Sequence, residues 1–278
     1  MEQKGWGVML IMVTGATGQL GSLIIDNLLK FVPAGEIIAC VRDPEKANDL
    51  LEKGVEIRFG DYDQPDTLIQ AFTGVAELLF ISSSHPDDTV RLTQHSEVIH
   101  AASKAGVKHL LYTSFAFPPK GQIPANHVHL ITEQMILKSG IDYTFLRNAL
   151  YMDFVDVLGL KEAIQSGELI TYPGNWLFNS VTRKDLALAT VVVLTTTGHI
   201  NQIYELTAPR SWDFSELTEV LSELTGKRIV HRQDSSIQHW IYSFLGKIDT
   251  ASTSKDMERL MGRPVTSLKE SIITFLQV

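Results

Sequence analysis

The sequence predicts an α/β protein organised on a doubly wound parallel sheet, followed by a smaller α+β lobe. From Met9 to about Arg147, short β-branched runs alternate with helical patterns, as repeated βαβ units require. A glycine-rich turn joins the first of these strands to the first helix, and beyond Arg147 the regular alternation stops.

The expected strands are Met9–Thr14, Glu36–Val41, Val55–Phe59, Glu77–Ile81, His109–Thr113 and Tyr143–Leu146. They read as continuous apolar runs because a parallel sheet is covered on both faces. Between the first two, Leu20, Leu23, Ile24, Leu28 and Leu29 carry helical spacing, which Pro33 and Gly35 end. Asp43-Pro44 and Gln64-Pro65-Asp66 read as helix starts with proline in the first turn. Downstream, helices are expected at Asp153–Gln165, Asp185–Leu194, Phe214–Leu224 and Ser267–Leu276, with strands at Leu169–Tyr172 and Ile203–Leu206. Trp176 follows Pro173-Gly174 and is expected to be exposed, and the stretch 235–254 reads as a short helix with a loop. The resulting division is a first domain over 9–150 and a lobe over 151–278, with parts of 180–207 returning to the first domain. Nothing functional is expected of Met1–Val8.

Composition narrows the function. Lys and Arg total 24 against 32 Asp and Glu, a formal charge of −8. That is opposite to the basic footprint of phosphate-backbone binding, so nucleic acid is not an expected partner. The single cysteine, Cys40, excludes an intrachain disulfide and suits a reducing compartment. No apolar run approaches the ~20 residues of a membrane span, and no signal-peptide pattern opens the chain, so a cytoplasmic protein without membrane contact is expected.

The strongest motif is Thr14-Gly15-Ala16-Thr17-Gly18-Gln19-Leu20-Gly21, between an apolar strand and an amphipathic helix. Gly15 permits the sharp turn, Gly18 lets backbone N–H groups approach a pyrophosphate, and Gly21 allows close helix–strand contact. Gly15, Ala16, Thr17, Gly18, Gln19 and Leu20 are therefore candidate cofactor contacts in a Rossmann-type dinucleotide site. At the end of the second strand, where an acidic residue would hold the ribose of NAD, the first polar residue is Arg42. A guanidinium suits a 2′-phosphate, so NADP(H) is preferred, with NAD(H) also open through Asp43. Asp61 could accept from the adenine amino group or simply form a turn, and Ser82 and Ser83 end the fourth strand at the ligand-binding edge.

These residues resemble the short-chain dehydrogenase/reductase superfamily, in its atypical NmrA-like branch, and within it the group of type 2 NAD(P)H:quinone oxidoreductases and triphenylmethane reductases. The resemblance rests on the glycine motif, Val41-Arg42, Gly60-Asp61-Tyr62, Phe80-Ile81-Ser82 and Ala105-Gly106-Val107-Lys108-His109. It extends to Tyr112-Thr113, His127-Val128-His129, Tyr143–Tyr151 and Asn179-Ser180-Val181-Thr182-Arg183. It implies a Rossmann-type domain with a C-terminal substrate lobe, and reduction of quinones or cationic dyes by NADPH. By motif match, the turn containing Arg147, Asn148, Leu150 and Tyr151 would flank the nicotinamide. A homodimer is compatible with the resemblance, and the segment 232–255 is expected to be shorter than the lid of such relatives.

Ordinary superfamily members use a Tyr-x-x-x-Lys pair to exchange a proton with substrate. Here the tyrosine slot falls on Ala125 and the lysine slot on His129, and neither Tyr112 nor Tyr151 restores the pair. A quinone accepting hydride becomes a stabilised anion and a triarylmethyl cation becomes neutral, so neither demands a strong protein acid. Direct hydride transfer to an electron-poor aromatic acceptor follows as the expected reaction. The alternative is an NmrA-like redox sensor that binds NAD(P) without turnover. His129 is the candidate catalytic group, against a structural reading, and Phe115, Tyr151, Phe154 and Trp176 are candidates for the acceptor's wall, with Phe154 the most readily core. His127 and His129 alone, without a carboxylate motif, do not make a metal site, and no metal is expected.

Overall fold

A computed structural model describes residues 9–118, 120–121, 124 and 127–276. Residues 1–8 and Ala125 lie outside the described residues. The central sheet contains β1 (Ile11–Thr14), β2 (Ile37–Val41), β3 (Glu56–Phe59), β4 (Glu77–Phe80), β5 (His109–Phe115) and β6 (Asp142–Asn148), with Gln202–Leu206 as a seventh strand. Their spatial order is Gln202–Leu206, β6, β5, β4, β1, β2, β3. β1 pairs in parallel with β2 on one side and β4 on the other, β2 with β3, and β4 with β5. The order reverses between β1 and β4, the switch point at which doubly wound sheets bind nucleotides beyond the strand ends.

All residues of β1, β2 and β4 are buried, which is why they read as unbroken apolar runs. One face packs Met12, Ile38, Leu78, Phe80, Leu110 and Tyr112 against Phe72, Val98 and Ile136 of the covering helices. The first helix is Gln19–Leu28, with Leu20, Ile24, Ile25 and Leu28 turned inward. Asp43-Pro44 starts only a short 3₁₀ turn, Pro44–Ala47, before the helix Asn48–Glu52, whereas Pro65–Phe72 is helical from its proline.

The chain divides into two compact units. The first comprises the described residues up to Phe115, then Pro124–Arg147 and Leu186–Tyr204; the second comprises the described part of Ala116–Ile123, then Asn148–Asp185 and Glu205 onward. The second unit has its own core, in which Met152, Val155, Phe178, Trp212, Phe214, Leu217 and Ile272 are buried together. Its strand pairs are short: Leu150–Tyr151 with Ser180–Val181, Leu177–Phe178 with Trp212–Asp213, and Glu168–Thr171 with Val230–Gln233. The helix expected over Asp153–Gln165 is instead a 3₁₀ segment, Met152–Leu158, followed by a helix, Leu160–Ser166. Gly159 between them takes φ +77°, a left-handed conformation that cannot continue a helix. Trp176 is half-buried, against the expectation of exposure, because it packs on the second core and its Nε1 donates to Tyr172 O at 3.0 Å. The segment 235–254 contains the helix Trp240–Leu245, which buries Ile241 and Leu245. No helix among the described residues is long and apolar enough to cross a membrane.

Candidate functional site

The turn after β1 is shaped by its glycines. Gly15 takes φ +59°, and Gly18 N donates to Gly15 O at 2.9 Å, closing the turn. A Cβ on Gly21 would lie 2.3 Å from Gly15 O and 2.9 Å from Ala16 Cα, so the helix approaches the turn closer than any side chain permits. Gly18 is the N-cap with no side-chain cap, and the first helical turn holds no acidic residue. Its N–H groups lack intrahelical partners and carry the positive end of the helix dipole. Ala16 and Leu20 are buried beneath the loop, while Gly15, Thr17, Gly18 and Gln19 face solvent. Free N–H donors, absent carboxylates and a Cβ-free approach all fit a pyrophosphate.

At the end of β2, Arg42 is exposed and has no hydrogen-bond or ion-pair partner among the described residues. Asp43, which could have held a ribose, is paired with Lys46 at 3.2 Å. Cys40 lies buried, with burial pushing its thiol up to about 12, so it is an inert packing residue. Asp61 spends its carboxylate on a turn, accepting from Asp63 N at 3.1 Å and Gln64 Nε2 at 3.2 Å. Tyr62 reaches inward: its hydroxyl lies 2.6 Å from Thr14 Oγ1 and 2.9 Å from Ile81 O, joining the ends of β1 and β4. Ser82 N donates to Thr113 Oγ1 at 2.9 Å, which joins the exits of β4 and β5.

One helix, Asp88–Ala105, braces this edge with polar groups. Ser83 N donates to His95 Nε2 at 2.9 Å, so the proton of His95 sits on Nδ1 and points to Thr132 Oγ1 at 2.8 Å. Gln94 accepts from Ser83 Oγ and donates to Asp63 Oδ1 at 2.8 Å. Burial, with Arg91 nearby, lowers the His95 pKa to about 3. The unfolded imidazole protonates near 6.5 while the folded one stays neutral, so stability conferred by His95 is present above pH 6.5 and is lost as pH falls toward 3. His95→Gln is expected to flatten the fall in stability between pH 6 and 4, where His95 accounts for up to about 1.4 kcal/mol per pH unit. Urea titrations of both proteins at several pH values check this, and equal slopes would refute it.

His129 stands on the first turn of the helix Val128–Ser139. Arg91 Nη2 approaches its Nε2 at 3.2 Å and Tyr112 Oη its Nδ1 at 2.7 Å. A guanidinium can only donate, so Nε2 accepts and Nδ1 carries the proton. Burial, with Arg91, His127 and His95 around it, holds His129 well below the ordinary imidazole value. The ring is neutral, both nitrogens are engaged, and the rings of Phe115 and His127 lie near-parallel to it at 6.4 and 5.5 Å. Among the described residues no group of His, Cys, Asp and Glu is arranged to hold a metal.

The Arg147 guanidinium is committed to Glu133 through two bonds of 2.9 and 2.7 Å, and Ser114 Oγ donates to the same carboxylate at 2.6 Å. In the second unit, Asn148 is buried, Leu150 and Tyr151 are half-buried, and Arg183 lies over the Tyr151 ring at 4.4 Å while paired with Asp153. Phe154 packs on Phe178 and Trp212 at 5.2 and 5.8 Å as part of the core wall. Trp176 forms an aromatic cluster with Tyr242, 5.4 Å away, and Tyr172, 5.8 Å beyond that. Arg91, Gln94 and His95 carry no sequence motif, and Tyr62 enters the sequence reading only through the Gly60-Asp61-Tyr62 motif, with no site role. A separate groove of about 450 Å³, lined by Lys184, Arg263, Thr266 and Glu270 among others, contains none of the expected site residues.

Residues 8–238 match the model of the NmrA-like family. Quinone oxidoreductase 2 of Escherichia coli is 34% identical over 281 residues, covering 95% of this chain and 97% of the relative. The NAD(P)H azoreductase of Xenophilus azovorans is 30% identical over 222 residues, covering 79% and 75% respectively. A crystal structure of the Citrobacter sp. triphenylmethane reductase complexed with NADP(H) superimposes with a TM-score of 0.89 at 45% identity, over 96% of this chain and 99% of that one.

Proposed function

The chain belongs to the NmrA-like family, and from that premise we propose that it passes a hydride from NADPH directly to an electron-poor aromatic acceptor, such as a quinone or a triphenylmethane dye. The protein is an NAD(P)H-dependent oxidoreductase of the quinone-reductase type, with NADP(H) as cofactor. The choice of acceptor is carried by one observation: the lysine slot of the usual catalytic pair holds His129, which is neutral and bonded at both nitrogens. No acid there is poised to protonate an alkoxide, so the acceptor must tolerate hydride without one.

When bound, the reduced nicotinamide supplies the hydride. The protein's residues provide position. The N–H groups after Gly18 hold the pyrophosphate, and Arg42 takes the 2′-phosphate. Ser82, Ser83 and the turn from Arg147 to Tyr151 orient the nicotinamide end. Phe115, Tyr151 and Trp176 offer flat apolar faces to the acceptor, as Tyr242 and Tyr172 beside Trp176 do. Holding an electron-poor ring in near-attack geometry is itself a large part of such catalysis.

The test is NADPH oxidation followed at the nicotinamide absorbance band with benzoquinones, naphthoquinones and triphenylmethane dyes. Turnover with at least one class supports the reading; tight NADPH binding without turnover across the panel replaces it with a redox sensor. Arg42→Ser is expected to cut kcat/KM for NADPH about tenfold, the worth of a charge-assisted contact at an exposed site, while leaving NADH nearly unchanged. An unchanged NADPH:NADH ratio would remove Arg42 from the phosphate.

A further inference from the structure

We propose that Arg91 is a positioning residue for hydride transfer: held behind the rings of Phe115, His127 and His129, its positive charge favours the charge that arrives on the acceptor and makes acceptor affinity follow acceptor charge. This deepens the reductase reading above and rests on it. Arg91 stands near the start of the helix Asp88–Ala105, while His127 caps the helix Val128–Ser139 and His129 lies in its first turn. Phe115 closes β5. The three rings are half-buried and near-parallel, with His129 5.5 Å from His127 and 6.4 Å from Phe115. A flat acceptor extends such a series by the same offset stacking. The guanidinium lies at the edge of the series, its Nη2 3.2 Å from His129 Nε2.

The charge on Arg91 is only partly answered by the protein. Its Nη1 meets Asp88 Oδ1 at 2.9 Å, but that carboxylate is 57% exposed where the Arg91 side chain is 17% exposed, so water screens the counter-charge more than the charge. On the buried side Nη2 meets a neutral imidazole, and Nε is sealed from solvent without a partner among the described residues. Glu133, on the helix that carries His129, is paired with Arg147. After burial, Arg91 is the chief influence keeping His129 and His95 from protonation, whereas at His127 Asp88 outweighs it. Hydride transfer breaks one C–H bond of the reduced nicotinamide and carries the hydrogen with both electrons to the acceptor, which gains one negative charge while the nicotinamide gains one positive. That gain is the same for a neutral quinone and a cationic dye, so a cation beside the acceptor assists the step for either. What differs is the acceptor as it binds: a cation is repelled and an anion attracted. The ring series lies at the exit of β5, past β4 from the glycine turn that receives the pyrophosphate, so the acceptor meets it at the far end of the cofactor.

The experiment is stopped-flow oxidation of NADPH preloaded on the full chain, at about pH 8 where free imidazoles are neutral. The acceptors are 1,4-naphthoquinone, its anionic 2-sulfonate and a cationic triphenylmethane dye. Arg91→Met should slow the saturated rate about tenfold for all three, the size of one half-buried charge partly offset by its carboxylate. The half-saturating concentration should rise several-fold for the sulfonate and fall several-fold for the dye. Arg91→Lys, which keeps the charge, should stay within about threefold of the wild-type rate. Asp88→Asn, which leaves the guanidinium and removes its counter-charge, should move both half-saturating concentrations in the opposite sense to Arg91→Met. An unchanged or faster rate in Arg91→Met, half-saturating concentrations that move together whatever the acceptor's charge, or an Arg91→Lys as slow as Arg91→Met overturns the assignment while sparing the reductase reading. A wild-type protein that oxidises NADPH with none of the three acceptors overturns both.

Discussion

Gly21→Ala is expected to weaken NADPH binding by at least about tenfold and to lower the melting temperature, even though alanine favours a helix by roughly 1 kcal/mol over glycine. The outcome depends on which effect is larger. Gly21 lies in the first turn of the helix Gln19–Leu28, where propensity alone would make the substitution stabilising. Its new Cβ would stand 2.3 Å from Gly15 O and 3.0 Å from Gly15 C. These are backbone atoms, so no side chain can rotate away. Relief requires the turn to move, and overpacking of this kind costs about 1–3 kcal/mol. The turn that must move also aims the N–H groups after Gly18, so the same displacement that destabilises the fold spoils the pyrophosphate site. Thermal unfolding without ligand, together with NADPH titration, separates the two losses. A variant with raised melting temperature and unchanged affinity would show that the helix and turn have room that the geometry denies.

The glycine turn and the sheet were legible because each is written in consecutive residues. The three-glycine spacing sits between a strand of four buried apolar or β-branched residues and an amphipathic helix, and both signals are local. The bracing of the cofactor edge was not legible for a physical reason. The helix Asp88–Ala105 turns Gln94 and His95 into the interior, where a pattern reading looks for Leu or Val, so its inward face carries little apolar periodicity. Those side chains are buried because Ser83, Asp63 and Thr132 satisfy them, and such partners are visible only after folding. Tyr62 is a similar case: the sequence marks it only as part of the Gly60-Asp61-Tyr62 motif, and its ring packs edge-on to Phe80 at 5.6 Å, a contact between distant segments. The break at Gly159 was written in the sequence, but one glycine within a helical pattern is compatible with a continuous helix until its φ is known. The aromatic cluster joins Tyr172 and Trp176 to Tyr242 from a distant helix, a pairing that no local spacing encodes.

Arg147→Met is expected to destabilise the protein more than any substitution on its surface. Glu133 is almost wholly buried, and its carboxylate takes both of its strong contacts from Arg147 and a further one from Ser114. Removing the guanidinium leaves a buried charge with one neutral donor, and breaking such a pair costs about 3–5 kcal/mol. For a chain of this size that corresponds to a fall in melting temperature on the order of 10 °C. The pair itself need not add net stability, because both charges lost their hydration on burial. Glu133→Gln combined with Arg147→Met should therefore recover more than half of the loss, since the amide oxygen still accepts from Ser114 and no charge remains. A double-mutant cycle that came out additive would show the two residues to be independent. The pair fixes the residue before Asn148 to the helix that carries His129, so NADPH affinity should fall in the single variant and return in the double. Recovery of stability without recovery of affinity would mean that the guanidinium acts on the cofactor itself, beyond holding the end of β6 in place.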